Sequence, residues 1–348
     1  MAGYALGNRE NEEQEIDILA ENSEDTFSFS KSVNINLFDY FNNREKFVVP
    51  YSTIRKVKSA RLQGAREVIY TATRRPDQFP HIKSLLELWG FGSYIEYLYT
   101  VAELGFLEGL IPVLDVGFIT PDEMRSISEI SALLKIPLES MHDYQLISAR
   151  MVKGPQQVLY RKKNIEWAGK LKLPTITSVL IGSSLSDVRR KTQFEYISKI
   201  HEKYGTIHEV ALETFSSDVP IKGIKGSIPT KETIINAIKL AKSILPPEIL
   251  LTINVENNAE HITDFIKAGI NDLGTIGIDF ESKNSEGVTF EALNDKISKS
   301  GKILHQRFPL SKQFVKDEKY SKKLGQVFDS YRYKIKKEQQ EKVKESKA

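Results

Sequence analysis

EVALET (Glu209–Thr214), ILLTINV (Ile249–Val255) and DLGTIGI (Asp272–Ile278) are three short apolar runs that read as buried strands. Between the first two, Ile234, Ile235, Ala237, Ile238 and Ala241 recur at helical spacing, and between the last two so do Ile262, Phe265 and Ile266. Strand, helix, strand, helix, strand is the pattern of a parallel sheet whose crossovers are helices.

Outward from this stretch the alternation continues. Val33–Leu37, Glu67–Thr71, Leu110–Leu114, Ser131–Ile136 and Ile176–Ile181 are five more strand-like runs, and Tyr94, Leu98, Val101 and Ala102 mark a helix between two of them. Thr120-Pro121-Asp122-Glu123 places a capping residue before proline with an acid three positions on, and Pro229-Thr230-Lys231-Glu232 offers a similar start. Periodicity alone does not separate a closed barrel from an open sheet. Eight strands favour the (β/α)₈ barrel. The expected organisation is an acidic, disordered arm over residues 1–30, a barrel over 31–310 and a basic helical extension over 311–348.

The 348 residues are 40% hydrophobic, with net charge +3 and no cysteine. Disulfides, thiolate metal sites, cysteine nucleophiles and cysteine-ligated clusters are thereby excluded. No run approaches the ~18 apolar residues of a membrane span, and the acidic start lacks a signal-peptide pattern, so a soluble, cytoplasmic chain is expected. Abundant Lys and Glu lean toward a thermophile. The charge is uneven: Met1–Phe27 carries eight acids against Arg9, whereas Ser311–Ala348 carries twelve bases against six acids. In the tail, Lys322, Lys323, Arg332, Lys334, Lys336 and Lys337 interleave with Phe328, Tyr331 and Tyr333. That mixture suits nucleic-acid contact, with bases on phosphates and aromatics on nucleobases. It suits equally a solvated helix with weak i,i+4 ion pairs.

The six histidines show no ligand spacing, so no metal is expected, and His201 with Glu202 is expected on a solvated helix face. No nucleophile elbow, P-loop or dinucleotide fingerprint occurs, and Gly182-Ser183-Ser184 reads as a helix cap. Asp115, Glu139, Thr177, Gly182, Glu213, Thr214, Asn254, Asn258 and Asp272 fall near strand ends. They form either a small-molecule pocket at the barrel mouth or ordinary caps.

Several segments resemble one family in its order and near its spacing from about Val33 to Leu310. They include Gly64–Tyr70, Ile95–Leu98, Gly117–Thr120, Leu138–Ser140, Ala168–Pro174, Leu180–Gly182 and Ala268–Gly274. The family is the radical-SAM enzymes, in the first subunit of deazaflavin (FO) synthase, which implies a TIM-type barrel of the radical-SAM kind. The resemblance implies a four-iron cluster on a C-x₃-C-x₂-C loop after the first strand, and S-adenosylmethionine bound to the open iron. Here the three cysteine positions hold Phe41, Glu45 and Val48. The glutamate that receives the SAM ammonium is Arg74. In the strand-five motif, glycines are Ser178 and Ser184 and the glutamate is Leu185. A Pro-Pro-Asn is Glu256-Asn257-Asn258, and an Asn is Asp115.

The resemblance therefore implies a homologue without cluster or SAM, and no other cofactor is expected. The leading expectation is a non-catalytic pseudoenzyme that binds or scaffolds a protein partner. Two alternatives stand beside it: a subunit contributing to FO/coenzyme F420 biosynthesis, and an RNA- or ribosome-associated protein that uses its tail. The oligomeric state is not legible.

Overall fold

The computed structural model describes residues 26–39, 43–72, 75–140, 154–182, 187–215, 227–283, 287–317, 320–326 and 328–329. Its strands are β1 (Thr26–Asp39), β2 (Asn43–Phe47), β3 (Glu67–Ala72), β4 (Ile111–Asp115), β5 (Leu133–Lys135), β6 (Thr175–Ile181), β7 (Ile207–Thr214), β8 (Leu250–Ile253), β9 (Thr275–Gly277) and β10 (Ile303–Gln306). The helices are α1 (Pro50–Leu62), α2 (Pro80–Leu88), α3 (Tyr94–Leu107), α4 (Pro121–Ile127), α5 (Gly154–Lys170), α6 (Asp187–Tyr204), α7 (Lys231–Ile244), α8 (Ile262–Ala268), α9 (Phe280–Lys283), α10 (Phe290–Lys299) and α11 (Lys312–Lys316).

Parallel pairing runs from β1 through β3, β4, β5, β6 and β7 to β8, and β9 returns to pair with β1. These eight strands are the expected eight, curled into a barrel of the TIM type. One seam differs. Between β8 and β9 the described residues form no ladder, and Asn271 stands in for one. Its Oδ1 accepts from the Leu251 N–H at 2.6 Å, and its Nδ2 donates to the Ile249 carbonyl at 3.2 Å.

β1 is the long element that closes the ring. Thr26–Phe29 pairs with β10, Ser30–Ser32 with β9, and Ser32–Phe38 with β3. It begins before the expected boundary at residue 31, because Phe27 and Phe29 are buried on one face and Ser28, Ser30 and Ser32 on the other. Helix starts agree with the sequence. Thr120 and Glu123 form a capping box, and the Thr230 hydroxyl accepts from Thr233 N–H.

The base of the barrel is charged rather than apolar. Arg307, just past β10, donates to both Asp272 oxygens at 2.9 and 3.1 Å and lies 3.6 Å from Glu209. Its remaining N–H groups bond the Phe308 and Pro309 carbonyls, Ser28 donates to Asp272, and Thr252 donates to Glu209. Burial pushes Glu67 up to about 7, against the pull of Arg307, and raises Glu209 in the same way. Asp272 was expected near the mouth. Because β9 starts only at Thr275, the residue sits at the opposite end, in this base.

The first part of the tail belongs to that base. Ser311 N–H donates to His208 Nε2 at 2.9 Å, and Phe314 packs on the same imidazole. Phe328 is buried edge-on to Phe308 and Tyr320, with ring centroids 4.9 and 4.4 Å away. Lys323 is held by Glu103 and lies over the Tyr99 ring, while Lys322 is exposed. Arg332, Lys334, Lys336 and Lys337 lie outside the described residues. His201 departs from expectation: it is buried and lies 3.3 Å from Glu248, in the loop just before β8.

Candidate functional site

The chain leaves β1 at the carboxyl end of the barrel and turns back as β2, which pairs antiparallel with it (Phe38 opposite Phe47). Phe41 lies outside the described residues, Glu45 falls on β2, and Val48 follows it. The hairpin is pinned from both sides of Val48: its N–H donates to the Leu37 carbonyl at 3.0 Å, and its carbonyl accepts from the Tyr97 hydroxyl. Phe47 stacks on Trp89 at 5.7 Å and leans on Tyr97 at 4.5 Å and Phe38 at 6.3 Å. Phe91 and Tyr94 complete the packing around Tyr97.

A four-iron cluster needs thiolates and an open coordination face. This region supplies packed aromatic rings, a backbone hairpin and no thiolate anywhere in the sequence. The residues present do not fit the cluster.

Around β6 the described polar side chains bond to the neighbouring elements. Ser178 is buried, and its hydroxyl donates to the Glu139 carbonyl at 2.8 Å. Thr177 accepts from Leu138 N–H, and Glu139 accepts from Gln193 at 3.0 Å. These three polar groups hold β5 and its exit loop to β6 and α6. Arg74, Ser184 and Leu185 lie outside the described residues. Arg75 beside them pairs with Asp77 and Glu123.

Gly182 ends β6 with φ +96°, and a Cβ there would sit 2.5 Å from the Ser227 carbonyl oxygen. Gly182→Ala therefore lowers stability by roughly 2–4 kcal/mol, read in a urea titration, since both the conformation and the contact reject a side chain.

The mouth encloses a cavity of about 390 Å³. Of the sequence candidates it gathers Glu213, Thr214 and Asn254. Asn258 stands at the rim, donating to the Asn254 carbonyl and to Thr214. Asp115 enters through Lys135, its partner at 3.7 Å. Lys135, Glu256, Asn34, Asp279 and Lys283 also line the cavity, and sequence reasoning did not assign them to it. Lys135 had one signal: a lone charge in the apolar run LLKIP.

Burial would lower the Lys135 ammonium, but Asp115, Glu213 and Glu209 outweigh it and hold it charged. Burial raises the Glu256 carboxyl, with Lys283 opposing and Asp279 reinforcing. Two ammoniums, several carboxylates, amides and hydroxyls over an apolar floor of Ile69, Val113, Ile176 and Ile253 suit a small polar molecule. Among the described residues no group of three or more potential ligands could hold a metal ion, and no helix is long and apolar enough to cross a membrane.

No protein-family model matches the chain. It is 30% identical over 320 residues to the 7,8-didemethyl-8-hydroxy-5-deazariboflavin synthase of Archaeoglobus fulgidus, covering 87% of this chain and 96% of that protein. This chain belongs to the deazaflavin synthase family. The synthase of Methanococcus maripaludis is 29% identical over 88% of this chain and 92% of its own length. Among solved structures, the [FeFe]-hydrogenase maturase HydG superposes with a TM-score of 0.62 at 11% identity, covering 93% of this chain and 72% of that one. HydG from Carboxydothermus hydrogenoformans gives 0.56 at 12%, over 81% and 69%. At those identities the likeness shows the fold, and this family member keeps that barrel.

Proposed function

We propose that this chain is a cluster-free member of the deazaflavin synthase family that serves FO/coenzyme F420 biosynthesis as a binding component rather than as a radical catalyst. The observation that carries this reading is a chain without a single cysteine, with aromatic rings packed around Phe47 on the hairpin of β1 and β2. The mouth cavity supports a ligand-binding role, because about 390 Å³ lies within the range of small-molecule sites. The names of the relatives support a ligand drawn from deazaflavin metabolism. A protein partner of the same pathway is the corresponding proposal for assembly.

The test is calorimetric titration of the full chain with 7,8-didemethyl-8-hydroxy-5-deazariboflavin and, separately, with S-adenosylmethionine. The deazaflavin binds and S-adenosylmethionine does not. Lys135→Met and Glu256→Gln each weaken deazaflavin binding about tenfold, the loss of one partly desolvated polar contact. S-adenosylmethionine binding, or deazaflavin binding insensitive to both substitutions, contradicts the proposal.

A further inference from the structure

At the opposite end from the mouth, a groove of about 430 Å³ opens at the amino-terminal ends of the strands. It lies over the seam that Asn271 bridges. Ile249 and Leu251 from the β8 side and Ile270 from the β9 side give it an apolar floor, and Phe27 of β1 forms a wall. Among the described residues, Lys242 and Lys302 are its charged lining and no carboxylate lines it. An apolar groove edged by cations fits an acidic segment with a few apolar anchors.

The sequence carries such a segment, tethered to the groove itself. Residues 1–25 lead into Thr26, which lines the groove and pairs in register with the exposed Ile303. EIDILAE (Glu15–Glu21) sets Ile16, Ile18 and Leu19 among Glu15, Asp17 and Glu21. From Glu21 to Thr26 the chain reaches up to roughly 17 Å, enough to lay the segment across the groove. A tether this short gives an effective concentration on the order of millimolar, so weak contacts suffice.

We propose that Glu15–Glu21 docks within its own chain in this groove, with its isoleucines and leucine on the floor and its carboxylates toward Lys242 and Lys302. Docked there, the acidic arm covers the β8–β9 seam, where the described residues form no ladder. This assigns the arm an intramolecular site, independent of any ligand in the mouth.

The experiment uses the full chain. Zero-length carbodiimide coupling at low salt, followed by peptide mass spectrometry of the monomer, yields amide links from Lys242 or Lys302 to a carboxylate within residues 10–25. At 1 M salt these links diminish, because exposed charge pairs are screened. In the double variant Lys242→Glu/Lys302→Glu, protease cleavage inside the arm accelerates about tenfold, the effect of losing two ion pairs of ordinary surface strength. The cooperative melt of the barrel is retained, which separates undocking from unfolding. Links found only between molecules would overturn the proposal in favour of docking on a second copy. An unchanged cleavage rate in the variant would overturn it outright.

Discussion

Arg307→Met lowers the stability of the barrel by roughly 3–5 kcal/mol at pH 8, because it leaves buried carboxylates without their cation. Arg307, Asp272, Glu209 and Glu67 are all almost fully buried, and the guanidinium is their common counter-charge. Truncation also frees the Phe308 and Pro309 carbonyls, and with them the anchorage of the first part of the tail. Chemical unfolding followed by circular dichroism measures the loss.

The same base gives a pH signature. Glu67 titrates near 4.5 in an unfolded chain and at about 7 here, raised by burial. Between those values the folded chain keeps a proton that the unfolded chain has released. This contribution is therefore fully present below 4.5 and is lost as pH rises through about 7, to a total of about 3 kcal/mol at most. His208 works in the opposite sense. Burial, then Arg307, hold its imidazole well below the ordinary range, so its contribution is present above 6.5 and is lost as pH falls below that value. The two slopes offset one another between pH 5 and 7. Glu67→Gln removes one of them: the variant gains stability as pH rises from 5 to 7 and exceeds its parent at pH 8 by roughly 1–3 kcal/mol. Urea titrations at pH 5, 6, 7 and 8 check this, and parallel profiles for the two proteins would contradict it.

Phe47→Ala costs roughly 3–5 kcal/mol, the usual penalty for removing a buried ring from a packed cluster. Phe47 is 6% exposed and touches Phe38, Trp89 and Tyr97, so the cavity opens on all sides of the hairpin. Thermal unfolding of the variant measures the loss.

The eight strands were legible because parallel strands covered on both faces are short continuous apolar runs. The start of β1 was not, because TFSFSKS alternates phenylalanine with serine. Its buried serines face a charged base that sequence order conceals: Arg307 meets Asp272, Glu209 and Glu67 at separations no local pattern reports. Lys135 was hidden in the same way, since its partner Asp115 belongs to the neighbouring strand. The absence of cysteine was readable from composition alone. The aromatic packing around Phe47 and Tyr97 was not legible, because it needed rings from β1, β2, α3 and the ends of α2 to be brought together.

The most direct test of a cluster-free barrel is anaerobic incubation of the full chain with ferrous iron and sulfide, followed by iron counting, electron paramagnetic resonance of the reduced protein and assay of 5′-deoxyadenosine from S-adenosylmethionine. The account predicts no stoichiometric iron, no cluster signal and no 5′-deoxyadenosine. About four irons per chain with cleavage of S-adenosylmethionine would contradict it.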